Sequence, residues 1–221
     1  MLMEIRVLQL PGASFVAPHD PLRKVLTCEA VAGAAAMAAL GDDWLPVGEM
    51  LDERSFVNAV IGLHATGGST NHLMHLVAMA RAAGIALSWD DFDALSAVVP
   101  LLARIYPNGY ADVNQFQAAG GMAFLIRELL SQGLLHGDAR TITGESLSGY
   151  VKQPQLDARG QLHWREVAAE SGNRGVLRAI SEPFRSDGGV RLLAGNLGRA
   201  VIKISAVPDD RHVIEAPALV F

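Results

Sequence analysis

The chain has 221 residues, of which 50% are hydrophobic and 19% charged, a composition typical of a folded globular protein and not of a disordered one. Its formal net charge of −5 argues against the basic surface that a nucleic acid would need. No apolar run approaches the roughly 20 residues that span a bilayer, and the first residues do not resemble a signal peptide. A cytoplasmic protein without membrane or nucleic-acid partners is therefore expected.

The first half of the chain has the hydrophobic spacing and the end signals of helices. A helix is predicted to start at Asp20, because aspartate caps helix starts and proline at the next position suits the first turn. It is predicted to end at Gly41, since glycine commonly terminates helices. A second helix is predicted to start at Asp52, and a third to cover residues 69–83.

Two further helices are predicted in the middle of the chain. Ser88 and Asp91 resemble a capping box at the start of a short fourth helix. A fifth helix is predicted over Val113–Ser131. Gly120 and Gly121 would each cost about 1 kcal/mol relative to alanine inside it, so the pair suggests either close packing against another backbone or a break between two shorter helices.

After about residue 170 the pattern changes to short β-branched runs. Strands are predicted over 201–207 and 213–216. The Ser-, Gly-, Asn- and Pro-rich stretch 171–189 is predicted to be a linker. The domain prediction is thus a mainly helical part of an N-terminal domain at 1–170 and the start of a C-terminal β domain at 190–221. The expected fold class is α/β (α+β within this chain), a helical region followed by the opening strands of an incomplete β domain, and both ends are expected to be cut.

The most informative segment is the glycine-rich turn Thr66-Gly67-Gly68-Ser69-Thr70-Asn71-His72. A helix start after two glycines offers free N–H groups and a positive dipole end, which favour an anion. The alternative is a capped, packed helix without a ligand. His72 and His75 are three residues apart, but no third metal ligand is apparent, and the serine lacks the glycine that a hydrolase elbow requires. Neither a metal site nor a catalytic residue is predicted.

Other polar residues are weaker candidates. Asn108, Asp112 and Asn114 are predicted substrate contacts, with a solvated helix start as the alternative. The acidic run 90–93 suits the first turn of a helix better than a calcium loop. Cys28 is the single cysteine; it excludes an internal disulfide, cannot alone hold an iron–sulfur cluster, and is expected to have a packing role.

At several of these motifs the sequence resembles the central part of the dihydroxy-acid and phosphogluconate dehydratase family. The motifs occur in the family's order along almost the whole chain. They are Ala65-Thr66-Gly67-Gly68-Ser69-Thr70-Asn71-His72, Tyr106-Pro107-Asn108-Gly109, Ala111-Asp112-Val113-Asn114, Ala118-Ala119-Gly120-Gly121-Met122 and Ala194-Gly195-Asn196-Leu197-Gly198-Arg199-Ala200-Val201-Ile202-Lys203. The phosphogluconate branch is the more similar, because the dihydroxy-acid branch typically has alanine in place of His72.

The resemblance implies a hydro-lyase that removes water from 6-phospho-D-gluconate, giving 2-dehydro-3-deoxy-6-phosphogluconate for the Entner–Doudoroff pathway. It implies a 4Fe–4S cluster in the complete enzyme, with a divalent ion in some members, a phosphosugar-acid substrate and a homodimer. Gly68, Ser69, Thr70, Asn71 and His72 would contact this substrate. By this resemblance the family's cluster cysteines would precede Met1 and its C-terminal catalytic residues would follow Phe221.

Two alternatives remain. The chain could be part of a dihydroxy-acid dehydratase or another sugar-acid dehydratase. It could also be a non-catalytic relic that binds an anion or pairs with related subunits.

Overall fold

The computed structural model describes residues 1–144 and 146–220. Within them the helices are α1 (Leu2–Ile5), α2 (Pro21–Ala36), α3 (Val47–Met50), α4 (Glu53–Thr66), α5 (Asn71–Ala82), α6 (Trp89–Ser96), α7 (Val113–Ala118) and α8 (Gly121–Ser131). The strands are β1 (Lys152–Leu156), β2 (Leu162–Glu166), β3 (Arg191–Gly195) and β4 (Gly198–Ile202), and short 3-10 helices cover Leu147–Val151, Ile204–Ala206 and Asp209–Arg211. The mixed helical and β composition predicted from the sequence is confirmed.

Helix starts follow their predicted caps. The Asp20 carboxylate accepts the Leu22 amide at 2.9 Å, and the Asp52 carboxylate accepts the Ser55 amide at 3.0 Å. Ser88 and Asp91 form the predicted capping box of α6. These caps are confirmed because a cap is a local interaction that the sequence carries by itself.

The predicted end of α2 at Gly41 is wrong, because the helix stops at Ala36. The chain then folds back over the helix end, where the Ala36 carbonyl accepts the Asp43 amide at 3.0 Å. A Cβ on Gly41 would clash with carbonyls of the last turn, so glycine is required there for a close approach and not for a cap. α2 is mostly exposed, and Leu26 is its one buried residue.

A single helix over Val113–Ser131 is also wrong, and the alternative of a break is confirmed. Gly120 and Gly121 have φ angles of 128° and 57°, values that L-residues with side chains rarely adopt. They divide the segment into α7 and α8, and a Cβ on Gly121 would clash with the Gln117 side chain.

The β structure consists of two hairpins. β1 pairs with β2 antiparallel, and β3 pairs with β4 antiparallel with Gly195 opposite Gly198. The β1–β2 hairpin was not predicted. The predicted strand at 201–207 is wrong beyond Ile202, and the predicted strand at 213–216 is wrong, since those residues are irregular and exposed. Neither 203–207 nor 213–216 pairs with a strand among the described residues. A β-branched run without hydrogen bonds to a neighbouring strand does not form a stable strand.

α4 lies at the centre, and its contacts organise the core. It packs against α1, α5 and α6. One buried cluster surrounds α8, and a second lies between α4, α5 and α6 around Phe56, Leu63 and Phe92. Among the described residues, no helix is both long and apolar enough to cross a membrane.

The segment 171–189 runs beside residues 101–104. The Arg178 amide donates to the Leu102 carbonyl at 2.9 Å, and the Leu101 amide donates to the Arg185 carbonyl at 3.0 Å. Leu177 within the segment is fully buried. The division into domains at this segment stays a prediction.

Arg6 is a buried cation without a carboxylate partner among the described residues. Its side chain is 1% exposed, and its Nε and Nη2 atoms have no hydrogen-bond partner there. The guanidinium lies 4.4 Å from the Phe56 ring centroid, and Nη1 lies 3.3 Å from the Met79 sulfur. Burial lowers the pKa of Arg6 because it disfavours the charged form.

Replacing this side chain with an apolar one of similar length is expected to stabilise the fold. Arg6→Met should raise the free energy of unfolding by about 1–4 kcal/mol, because the cost of burying an unpaired charge disappears. Urea denaturation would measure it, with Arg81→Met on the exposed face of α5 as the control. A lower stability for Arg6→Met would show that the contacts with Phe56 and Met79 outweigh desolvation.

Candidate functional site

The glycine-rich turn connects α4 to α5. Gly67 has φ 56° and ψ 48°, a left-handed conformation that ends α4. Its amide donates to the His64 carbonyl at 3.2 Å, and the Gly68 amide donates to the Leu63 carbonyl at 2.9 Å. The turn is therefore a C-terminal cap of one helix immediately followed by the start of the next.

Residues from distant parts of the sequence complete this cap. The His64 carbonyl also accepts the Gly189 amide at 3.3 Å, and the Ala65 carbonyl accepts the amides of Leu102 at 2.7 Å and Ala103 at 3.1 Å. Each contact satisfies a carbonyl that has no partner within its own helix. A Cβ on Gly189 would come within 2.5 Å of the Gly67 Cα, so the two backbones touch.

Asn108, a predicted substrate contact, also joins this junction. Its Nδ2 donates to the Gly67 carbonyl at 2.7 Å and to the Thr66 carbonyl at 3.3 Å, while its Oδ1 accepts the Ser205 hydroxyl at 2.9 Å. A Cβ on Gly67 would clash with this amide. Asn108 thus holds the turn in place. Sequence reasoning missed Ser205, because nothing local in the sequence signals a contact across 97 positions.

The start of α5 offers unpaired donors. The Ser69 carbonyl accepts the His72 amide at 3.0 Å, and the Ser69 hydroxyl lies 3.3 Å from the Asn71 amide. The amides of Ser69 and Thr70 have no partner in the part of the chain that the structure describes. Ser69 and Asn71 are exposed, and His72 is half-buried. The predicted residues therefore lie together at an accessible helix start.

His72 lies near other basic side chains. Burial lowers its pKa most, a contact with the Ser69 carbonyl at 3.2 Å raises it, and the nearby His75 and Lys203 lower it further. His72 and His75 also line a cavity of about 470 Å³ between α1 and α5, together with Arg6. A bound anion would oppose these effects and favour the protonated ring.

Asp112 and Asn114 lie apart from the turn in their contacts. The Asp112 carboxylate accepts the amides of Asn114 and Gln115, each at 2.9 Å, and the Gln115 side chain accepts the Asp112 amide at 2.9 Å. This is a capping box at the start of α7. Both residues are exposed, and no hydrogen bond between described residues joins them to the turn. Their role as substrate contacts stays a prediction.

His64 is a buried titratable residue beside the junction that sequence reasoning missed. It is 0% exposed, and neither ring nitrogen has a hydrogen-bond partner among the described residues. A Cβ on Gly188 would lie 2.7 Å from its Nδ1. Burial lowers the pKa of His64 to about 4, although the nearby Phe92 backbone raises it without the geometry of a hydrogen bond. The ring is thus neutral at pH 7.

Two models of one protein family match this chain. Residues 1–150 match the model described as dihydroxy-acid/6-phosphogluconate dehydratase N-terminal, and residues 175–221 match the C-terminal model of the same name. The chain belongs to the dihydroxy-acid/6-phosphogluconate dehydratase family. The family resemblance expected from the turn motifs is confirmed.

Relatives from both branches of the dehydratase family align over all of this chain. A phosphogluconate dehydratase of Rhizobium meliloti is 58% identical over 221 residues, and that of Escherichia coli is 55% identical. A dihydroxy-acid dehydratase of Thermus thermophilus is 34% identical over 223 residues. The chain spans 36% of the length of the first two relatives and 37% of the third.

The family consists of iron–sulfur dehydratases, but the residues described do not fit such a cluster. Clusters are normally held by several thiolates, whereas Cys28 is the chain's one cysteine and is exposed. Its exposure also makes the predicted packing role of Cys28 wrong. Among the described residues, no group of three or more His, Cys, Asp or Glu side chains could hold a metal. No step of the reaction is assigned to a cluster on this chain.

The lowered pKa of His64 predicts an acid-sensitive fold. The unfolded histidine takes up a proton near pH 6.5, whereas the folded one does so near pH 4. Stability is therefore present above pH 6.5 and is lost as the pH falls towards 4, by about 3 kcal/mol in total. Urea denaturation at several pH values would measure this loss.

A non-titrating side chain at position 64 should remove this part of the pH dependence. His64→Leu is expected to flatten the stability profile between pH 6.5 and 4. The control is His163→Leu on the exposed face of β2, which should keep the slope of the wild type. An unchanged slope in His64→Leu would assign the acid sensitivity to other groups.

Proposed function

We propose that this chain is part of a phosphogluconate dehydratase, a lyase that eliminates water from 6-phospho-D-gluconate to give 2-dehydro-3-deoxy-6-phospho-D-gluconate in the Entner–Doudoroff pathway. One observation carries the proposal: identity over the full chain is 58% and 55% to two phosphogluconate dehydratases but 34% to a dihydroxy-acid dehydratase. Membership of the other branch is the second candidate, supported by that weaker similarity.

The proposed contribution of this chain is to bind the anionic substrate. We propose that the backbone amides of Ser69 and Thr70 and the side chains of Asn71 and His72 contact the substrate's phosphate. Gly68, whose own amide is paired with the Leu63 carbonyl, would allow the close approach of the backbone to the ligand. Support comes from the two unpaired amides at the start of a twelve-residue helix and from the basic side chain of Lys203 near His72. Helix N-termini of this kind favour phosphate.

The junction at the end of α4 orients that helix start. Asn108 fixes the carbonyls of the turn by hydrogen bonds of 2.7 and 3.3 Å, so a phosphate would meet donors that are already in place. Asn108, Asp112 and Asn114 stay proposed substrate contacts. The complete enzyme is proposed to be a cytoplasmic homodimer that carries a 4Fe–4S cluster, with a divalent ion in some members, on residues outside this chain.

The isolated chain is expected to have no dehydratase activity and to bind no cluster, because one exposed thiol cannot supply the ligands. Anaerobic reconstitution with iron and sulfide, followed by absorption spectroscopy and an assay with 6-phosphogluconate, tests this. A stoichiometric cluster together with turnover would contradict it.

A chimaera tests the function of the segment itself. This chain would replace the corresponding segment of the Rhizobium meliloti relative, and the chimaera is expected to dehydrate 6-phosphogluconate. An inactive but folded chimaera that retains its cluster would favour a non-catalytic chain. Turnover of a dihydroxy acid instead would favour the second candidate.

His72→Ala in the active chimaera tests the phosphate contact. We expect the KM for 6-phosphogluconate to rise about tenfold, since a charge-assisted hydrogen bond is lost, with a much smaller effect on unphosphorylated gluconate. His75→Ala, one turn along the same helix, is the matched control and should change little. An equal rise in KM for both substrates would show that His72 has a structural role and does not contact the phosphate.

A further inference from the structure

Two arginine side chains contact one aromatic ring near the candidate site. The guanidinium carbon of Arg178 lies 4.2 Å from the ring centroid of Phe184, and that of Arg104 lies 4.7 Å from it. Cation–π attraction accounts for each contact separately. The two like charges nevertheless repel each other, because both are held around the same ring. A bound anion would remove this repulsion.

Backbone hydrogen bonds hold the segments that carry these side chains. The Arg104 amide donates to the Val176 carbonyl at 2.8 Å, and the Arg178 amide donates to the Leu102 carbonyl at 2.9 Å. Phe184 is anchored to the same segment by an amide hydrogen bond of 2.9 Å. The two guanidinium groups are therefore carried by a braced part of the backbone, which lowers the entropy cost of binding a ligand.

The other charges around the ring are already paired. Arg185 contacts the carboxylates of Asp187 at 3.0 Å and Asp209 at 2.9 Å. Glu182, two residues before the ring, is paired with Arg174. Neither arginine on the ring forms an ion pair with a residue that the structure describes. The two positive charges thus lack a counter-charge.

A cleft beside the ring gives an anion access. The cleft has a volume of about 320 Å³, and its lining includes Arg104, Asn108, Phe184 and the ion pair of Arg185 with Asp209, whereas Arg178 lies outside the lining. A Cβ on Gly109 would come within 2.8 Å of the Arg104 carbonyl oxygen, so the turn that carries Asn108 braces Arg104. The Arg104 side chain makes no hydrogen bond to a described residue, and Arg178 uses only its Nε. Their terminal nitrogens are free to donate.

We propose that Arg104 and Arg178, both held on the ring of Phe184, bind a phosphate group, Arg104 from the cleft and Arg178 from the ring beside it. The planar guanidinium presents paired N–H donors that match phosphate oxygens. Two such cations suit a doubly charged phosphate better than a singly charged carboxylate. None of these residues belongs to the glycine-rich turn, so the site does not depend on the proposed function.

Calorimetric titration of the full chain with inorganic phosphate at constant ionic strength tests the site. Arg104→Gln and Arg178→Gln should each weaken phosphate binding about tenfold, since each removes a charged donor. The phosphate affinity of Arg104→Lys should lie between those of the wild type and Arg104→Gln, because lysine keeps the charge but lacks the planar guanidinium. Phe184→Leu should also weaken binding, since the guanidinium groups lose their common support. Melting temperatures would confirm that each variant is folded.

The matched control is Arg165→Gln, which removes an exposed positive charge on β2 and should leave the affinity within about twofold. If Arg165→Gln weakened phosphate binding equally, the effect would depend on net charge alone, and the proposed site would be overturned. Absence of phosphate binding, or an affinity unaffected by Arg104→Gln and Arg178→Gln, would also overturn it. So would a loss of binding confined to His72→Ala, which would place phosphate at the turn.

Titration with 6-phosphogluconate and with gluconate distinguishes a phosphate monoester from free phosphate as the ligand of this site. 6-Phosphogluconate that binds with the same sensitivity to Arg104→Gln would support a phosphate monoester as the ligand. Binding of inorganic phosphate alone would support the free ion. Gluconate that binds as tightly as 6-phosphogluconate would show recognition of the carboxylate and contradict the proposal.

Discussion

The carbonyl groups at the end of α4 need donors from outside the helix, and this requirement holds the molecule together. The backbone of the turn supplies some of them, and amides from two distant segments, at Leu102 and Gly189, supply others. The Asn108 side chain bonds the last carbonyls. Segments far apart in sequence meet at one helix end because each satisfies a buried polar group there. The candidate site is the solvent-facing side of this junction.

Features that depend on neighbours in sequence could be predicted, and those that depend on distant contacts could not. The caps at Asp20, Asp52 and Ser88 involve residues two or three positions apart, and their helices begin where the sequence indicates. The strand predicted at 213–216 failed because β-branched composition favours a strand only where a partner exists. The β1–β2 hairpin was overlooked because Pro154 and polar residues weaken its alternation.

The candidate site divides in the same way. The glycine-rich turn was visible because its glycines and the following helix start are contiguous. The bond from Ser205 to Asn108, the buried ring of His64 and the arginines on Phe184 arise only when the chain has folded. Composition did not reveal them, since serine, histidine and arginine occur throughout the sequence. The motifs therefore identified the family, while the groups that support the turn come together only in the folded structure.

The exposure of α2 has a consequence for how the molecule opens. Leu26 is the one buried residue of this helix, and it packs in a small cluster with Leu10 and Ala13, separate from the clusters around α4 and α8. Detaching α2 would uncover little apolar surface, so it costs much less free energy than unfolding the whole chain. We therefore expect α2 to be released in a sub-global opening that leaves the junction at α4 intact. Backbone amides of α2 would reach solvent through that opening long before those of α4.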